Sequence, residues 1–119
     1  MTTTKTDLMY LKHILDCINK VEKFVKYRRK KSIDQEMVES AIVRELQIMA
    51  ESTQRISASL KLKASEVPWH SISGFRNVLV HDYLGIEPDE IYAIIKSDLP
   101  KLKKRVIKMI EFIEKKEGK

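Results

Sequence analysis

Apolar positions in the first quarter of the chain recur every three or four residues, at Leu11, Ile14, Ile18, Val21 and Val25. That spacing puts them on one face of a 3.6-residue turn and predicts an amphipathic helix from Asp7 to Tyr27. Thr6 and Asp7 offer an N-cap and a favourable first-turn charge. The predicted helix closes in Lys26-Tyr27-Arg28-Arg29-Lys30-Lys31, positive charge at the negative end of the helix dipole. Ser32 and Gln35 stand at capping-box spacing, and Val38, Ile42, Leu46, Met49, Ile56 and Leu60 form the next stripe. No Gly or Pro interrupts it, so the pattern predicts one helix from Asp34 to Leu62, about 40 Å long at 1.5 Å per residue. A helix of that length is expected to lend part of itself to a dimer interface. Ala41, Ala50, Ser52 and Thr53 lie beside the stripe and allow close helix approach.

Lys63 to Trp69 is the clearest break, because Pro68 disfavours helix at Val67. A short helix then carries Ile72, Phe75, Leu79 and Tyr83, with Gly85 placed as its stop. Pro88 opens another helix, with Asp89 and Glu90 in its first turn and Ile91, Ile94 and Ile95 facing inward. Asp98 and Pro100 restart the chain, and Leu102, Val106, Met109 or Ile110, and Ile113 stripe the last helix. No alternating run and no internal repeat appears. The expected fold is all-α, an antiparallel bundle of four to five helices in one domain spanning 1–119, with two long antiparallel helices at its centre.

Composition agrees with this picture. Charged residues are 34% of the chain, above the usual quarter, as amphipathic helices with solvated faces require. No segment approaches the ~20 apolar residues that cross a bilayer. The N-terminus lacks the apolar run of a signal peptide. With the single Cys17, which forms no internal disulfide, these features lead to the expectation of a cytoplasmic protein without membrane association. Cys17 has no adjoining basic residue and reads as core. The net charge of +6 favours a polyanionic partner, nucleic acid first.

Most catalytic signatures are missing: there is no Gly-rich phosphate loop, no His-Glu-x-x-His and no Cys pair. His13 and His70 lack neighbours at metal-ligand spacing, so no metal is expected. One segment concentrates chemistry, Gly74-Phe75-Arg76-Asn77-Val78-Leu79-Val80-His81-Asp82-Tyr83-Leu84-Gly85. Histidine ordinarily titrates near 6.5 and exchanges protons at about neutral pH. Arginine presents a fixed fork of donors suited to phosphate and to charge building on a phosphoryl group. RNA supplies its own nucleophile in the 2′-OH, so Arg76 and His81 suffice for cleavage without metal.

Five residues turn an ideal helix by about 500°, which leaves Arg76 and His81 about 140° apart. Two things bring them together in this reading, acting jointly: a departure from ideal helix geometry near Gly85, and two copies of the segment meeting across a dimer axis. Read without catalysis, Arg76 is a surface residue, His81 a helix cap and Asp82 its partner. The basic run Tyr27, Arg28, Arg29, Lys30 and Lys31 is a candidate RNA-binding element or simply a solvated turn. Lys101, Lys103, Lys104, Arg105 and Lys108, spread around the last helix, read as a solvated face rather than a groove.

Arg76-x4-His81-x-Tyr83 resembles the Arg-x4-His-x-Tyr signature of the HEPN ribonuclease toxins of the HepT group. The flanks are similar too: Val67-Pro68-Trp69, Ile72-Ser73-Gly74-Phe75-Arg76-Asn77, Val80-His81-Asp82-Tyr83 and Asp98-Leu99-Pro100-Lys101-Leu102. Ala41-Ile42-Val43-Arg44 and Glu51 match as well, with Ala50 where the group usually has Gly. The resemblance implies a HEPN-fold homodimer with a composite RNA-cleaving cleft. It implies Arg76 and His81 as catalytic residues, supported by Asn77 and Asp82, and no cofactor. It further implies an MntA-type minimal nucleotidyltransferase as antitoxin, which adenylylates the motif tyrosine, here Tyr83. Tyr83 stands two residues after His81 and seven after Arg76, on Arg76's helical face, so an AMP there would meet Arg76 and repel RNA. The alternative implied by the same resemblance is a non-catalytic helical subunit that binds a nucleotide or a nucleotidyltransferase.

Overall fold

Two helices carry the centre of the molecule, α1 (Thr2–Val25) and α2 (Gln35–Gln54), packed along their lengths and joined by a short turn that makes them antiparallel. The computed structural model describes residues 2–81, 85 and 87–117. Leu11, Ile14, Ile18 and Val21 of α1 are fully buried against Ile42, Leu46 and Met49 of α2, as the stripes predict. Complete burial of one such side chain stabilises a fold by about 1.5–3 kcal/mol. Cys17 belongs to this layer, 1% exposed. Burial, with Glu45 nearby, pushes its thiol up to about 12, so it packs as a hydrophobe rather than reacting.

The turn between α1 and α2 is organised by Gln35. Its side-chain oxygen accepts the Arg29 backbone N–H at 2.7 Å, and its amide lies 3.1–3.2 Å from the carbonyls of Tyr27, Lys30 and Ile33. Arg29 has a φ of 68°, a left-handed conformation that few residues other than Gly adopt, and the Gln35 bond holds it there. The cap of α2 is Asp34, which accepts from Glu36 N and Met37 N, not the expected Ser32.

The expected single helix over 34–62 is two. α2 ends at Gln54, and a separate helix α3 (Ala58–Lys63) follows. Asp7 of α1, only 5% exposed, accepts from both the backbone N–H (2.8 Å) and the hydroxyl (2.6 Å) of Ser57. The Ser57 hydroxyl in turn accepts from Leu60 N and caps α3. A buried carboxylate holds the Ser57 N–H away from a helical partner and turns the chain. Asp7 therefore acts inside α1, which begins at Thr2, and not at its expected N-terminus. With α2 at 20 residues, roughly 30 Å, the dimer inference drawn from helix length loses its basis.

Three helices complete the described fold: α4 (Trp69–His81), α5 (Pro88–Ser97) and α6 (Leu99–Glu117). Six helices are therefore present among the described residues, against the four to five expected, because the second splits; there is no strand among them. Glu87 and Glu90 form a reciprocal capping box ahead of Pro88. Arg28 binds α5 to the α1–α2 turn, donating to Asp89 at 2.6 Å and stacking 3.6 Å from the Tyr92 ring centre. α6 packs on α1 and α5 and buries Leu102, Val106, Met109 and Ile113. No helix among the described residues is long and apolar enough to cross a membrane.

α4 packs chiefly on α2. Between α4 and α6 a groove of about 660 Å³ opens, floored by Leu46 and Met49 and walled by Ile72 and Phe75 on one side. The stop expected at Gly85 follows residues 82–84, which lie outside the described residues.

Candidate active site

α4 is the helix that carries the chemistry-bearing segment, and it buries only Leu79. Its start is fixed by Pro68, whose carbonyl accepts from Ile72 N, and by Trp69, whose indole N–H donates to Ala64 O at 3.1 Å. A polar stripe on α2 then grips one flank of α4. Gln54 donates to the Ser73 hydroxyl at 3.2 Å, Glu51 accepts from Arg76 at 2.5 Å, and Gln47 donates to the Leu79 carbonyl at 3.1 Å. Residues 47, 51 and 54 lie four and three apart, so one face of α2 delivers all three contacts.

Arg76 sits at the middle of this seam. Its Nη2 meets Glu51 Oε2, its Nη1 donates to Asn77 Oδ1 at 3.1 Å, and its side chain is 25% exposed. Its Nε is buried without a hydrogen-bond partner among the described residues. The hydrogen bond and the charge of Arg76 hold the Glu51 carboxyl below its usual value of 4.5, with Arg55 and Arg44 adding to the effect. The guanidinium is thus fixed at the surface with its charge partly offset, a site where a phosphate oxygen has an anion to compete with and a preset fork to bind.

His81 is the last residue of α4 and is exposed. Because α4 stays helical through His81, no departure from helical geometry intervenes between Arg76 and His81. In one copy the two side chains leave the helix in directions about 140° apart. Asn77 is exposed and occupied by Arg76. Asp82 and Tyr83 lie outside the described residues. In the basic run, Arg28 is engaged by Asp89 and Tyr92, and the Tyr27 ring has Lys30 Nζ 5.6 Å from its centre. Arg29, Lys30 and Lys31 are exposed and make no ion pair among the described residues.

Sequence reasoning placed Glu51 only within the resemblance and gave it no partner. The signal was present: Gln47, Glu51 and Gln54 repeat at helical spacing on the polar side of an otherwise apolar stripe. No group of three or more His, Cys, Asp or Glu side chains converges among the described residues.

The family model described as Ribonuclease HepT-like matches residues 14–109. Among curated proteins, the chain is 36% identical over 98 residues to "Putative RNase MJ1380" of Methanocaldococcus jannaschii, covering 82% of this chain and 90% of that protein. It is 31% identical over 108 residues to "Putative RNase TTE0752" of Caldanaerobacter subterraneus subsp. tengcongensis, covering 90% and 96% respectively. It is also 26% identical over 108 residues to "Gamma-glutamylcyclotransferase and putative RNase MJ0434" of M. jannaschii. The aligned part is 90% of this chain but only 49% of that protein, so the chain spans about half that relative's length. No solved structure matches.

Proposed function

This chain belongs to the HepT-like ribonuclease family, and on that premise we propose that it is a metal-independent RNA endonuclease with Arg76 and His81 as its catalytic pair, in a single domain over residues 1–119. The observation that carries the reading is the Arg76–Glu51 pair. A guanidinium held at 2.5 Å by a carboxylate, on the exposed edge of a helix whose last residue is His81, is a preset phosphate site with a proton carrier nearby. In the reaction the 2′-OH loses its proton and attacks the adjacent phosphorus, the P–O5′ bond breaks, and the leaving oxygen gains a proton. The products are a 2′,3′-cyclic phosphate and a 5′-OH. His81 serves the proton transfers and Arg76 the charge on the phosphoryl oxygens, with Asn77 steadying Arg76 and Asp82 assigned to support His81.

The active form in this reading is a homodimer. Arg76 and His81 diverge within one copy, and α4 leaves Val78 (40%) and Val80 (43%) exposed beside them. A second α4 packed on the Arg76 side would cover Val80, which lies about 40° from Arg76 around the helix, and set the Arg76 of one copy against the His81 of the other. An MntA-type nucleotidyltransferase is the proposed partner and Tyr83 the residue it adenylylates. An AMP phosphodiester seven residues beyond Arg76 would pair with its charge and exclude the RNA backbone. The protein so read is the toxin of a toxin–antitoxin pair, working in the cytoplasm.

The test is cleavage of total RNA and of tRNA by the purified chain in excess EDTA, beside His81→Ala. Activity that persists with chelator and disappears in the variant is expected. Activity abolished by chelator removes the metal-free mechanism, and full activity in His81→Ala removes the site.

A further inference from the structure

The cations of α6 divide into two sets. Lys103 is bonded to Glu22 and Arg105 to Glu66, so both hold the fold together. Lys101, Lys104 and Lys108 are exposed and make no ion pair among the described residues. They follow one another at three and four residues along one ridge of the helix. Four residues on, the same ridge carries Phe112, 48% exposed, with Lys116 Nζ 5.4 Å and Lys63 Nζ 5.6 Å from its ring centre. Glu114 is taken by Lys12 and Glu111 stands at the ridge's edge. From Lys101 to Lys116 the ridge runs about 22 Å at 1.5 Å per residue.

We propose that this α6 ridge is a binding site for single-stranded RNA outside the catalytic pair, with Lys101, Lys104 and Lys108 on successive phosphates and Phe112 as a stacking surface for a base. The proposal rests on the ribonuclease reading above. Charge complementarity favours it: Lys101, Lys104 and Lys108 make no ion pair among the described residues, the groove's Glu66 is already bonded by Arg105, and with Asp98 the only other acid in the lining the lysines leave an excess of positive charge for a polyanion. An exposed aromatic ring flanked by two ammonium groups is the arrangement that holds a base by its face while its phosphates are neutralised. Position favours it as well. Lys101, Lys104 and Lys108 form one wall of the groove whose other wall is α4, with Ile72 and Phe75. Arg76 follows Phe75 in the chain, so a strand bound at Arg76 has only α4 to cross before it enters this groove. Unpaired bases can enter an apolar groove of this kind; a duplex keeps its bases stacked inside.

The experiment measures binding in the His81→Ala background, which separates affinity from cleavage. The probe is a fluorescein-labelled 12-nucleotide single-stranded RNA, read by anisotropy from 50 to 300 mM KCl. Lys101→Ala/Lys104→Ala/Lys108→Ala is expected to bind about 30-fold more weakly near 0.15 M salt, with a log K against log salt slope shallower by about 2, since each single-strand phosphate contact contributes roughly 0.7. The charge-matched set Lys12→Ala/Lys20→Ala/Lys23→Ala, on α1, should stay within about twofold. Ala favours helix, and circular dichroism melts verify that both sets fold. Phe112→Ala should lose affinity without changing the slope, because it removes stacking and not a charge. Equal losses in the two lysine sets overturn the proposal, as does displacement of the RNA by polyglutamate at the same charge concentration, which would mark a dock for acidic protein. Strong RNA binding untouched by the α6 set overturns the ridge and leaves the ribonuclease reading standing. Absence of any RNA binding overturns the ridge too, and the cleavage assay then decides the ribonuclease reading by itself.

Discussion

α1 and α4 are both amphipathic, and they use their apolar residues in opposite ways. In α1, Leu11, Ile14, Cys17, Ile18 and Val21 are each exposed by 1% or less. In α4, Trp69, Ile72, Phe75, Val78, Leu79 and Val80 are as apolar, yet Leu79 is the buried one, and Val78 and Val80 stand 40% and 43% exposed. Around α1 the chain satisfies itself. Around α4 it stops short: one flank is held by the Gln47, Glu51 and Gln54 seam, the other opens to a groove, and the outer face has no cover among the described residues. Stability resides in the first region, and the surface on which a second copy and RNA are proposed to bind lies in the second.

The sharpest break between the regions is expected at His81. His81→Ala should lower cleavage by on the order of 10²–10⁴ while the melting temperature holds, because the side chain is exposed at a helix end. A matching loss of stability would move His81 into the first class. Ile18→Ala should behave in the opposite way. It is fully buried, and its truncation should cost about 2–5 kcal/mol in urea unfolding. Cleavage per folded molecule should be unchanged at a temperature where the variant remains native. Val80→Asp comes next. It should leave monomer stability within about 0.5 kcal/mol but shift the light-scattering mass from twice 13.9 kDa towards 13.9 kDa at micromolar concentration, with cleavage falling in step. Wild-type chain that is monomeric and still cleaves RNA would remove the cover proposed for α4.

How far this division was readable from the sequence depends on whether a feature is local. The stripes of α1, α5 and α6 and the 63–69 break follow from spacing and from Pro68 and Pro88, and they appear where expected. The break at 55–57 has no Gly or Pro. It is produced by Asp7, fifty residues away, bonding Ser57, which no local pattern records. The Arg76–Glu51 pair is similar: each residue is ordinary on its own helix, and only the packing of α4 on α2 joins them. Arg76 and His81 stood out because polar chemistry interrupts an aliphatic run. The sequence counted Lys103 and Arg105 with Lys101, Lys104 and Lys108 as one solvated face; the structure separates the first two, because their acid partners Glu22 and Glu66 are distant in the chain.

The smallest effect expected is with pH. Arg76 holds the Glu51 carboxyl below 4.5. A depressed carboxyl contributes stability that is fully present above its ordinary value and is lost as pH falls through the lowered one. The Arg76–Glu51 contact should therefore persist from about pH 8 to pH 5 and fail only in stronger acid. Glu51→Gln should mimic the acid state at neutral pH, lowering cleavage while leaving its pH profile between those limits unaltered in shape. A new titration near pH 5–6 in the wild-type chain that Glu51→Gln abolishes would contradict the depressed carboxyl.

Complementation between two inactive variants addresses the central claim most directly. Arg76→Ala and His81→Ala are each expected to be inactive alone. Mixed, unfolded and refolded together, half of the dimers would carry one variant of each kind. In such a dimer the intact Arg76 of one copy faces the intact His81 of the other, so one of two sites is whole. The account predicts recovery of roughly a quarter of wild-type cleavage. Mixed dimers that form, as mass spectrometry can verify, and recover no cleavage would show that Arg76 and His81 must belong to the same chain, and the composite site on α4 would be wrong.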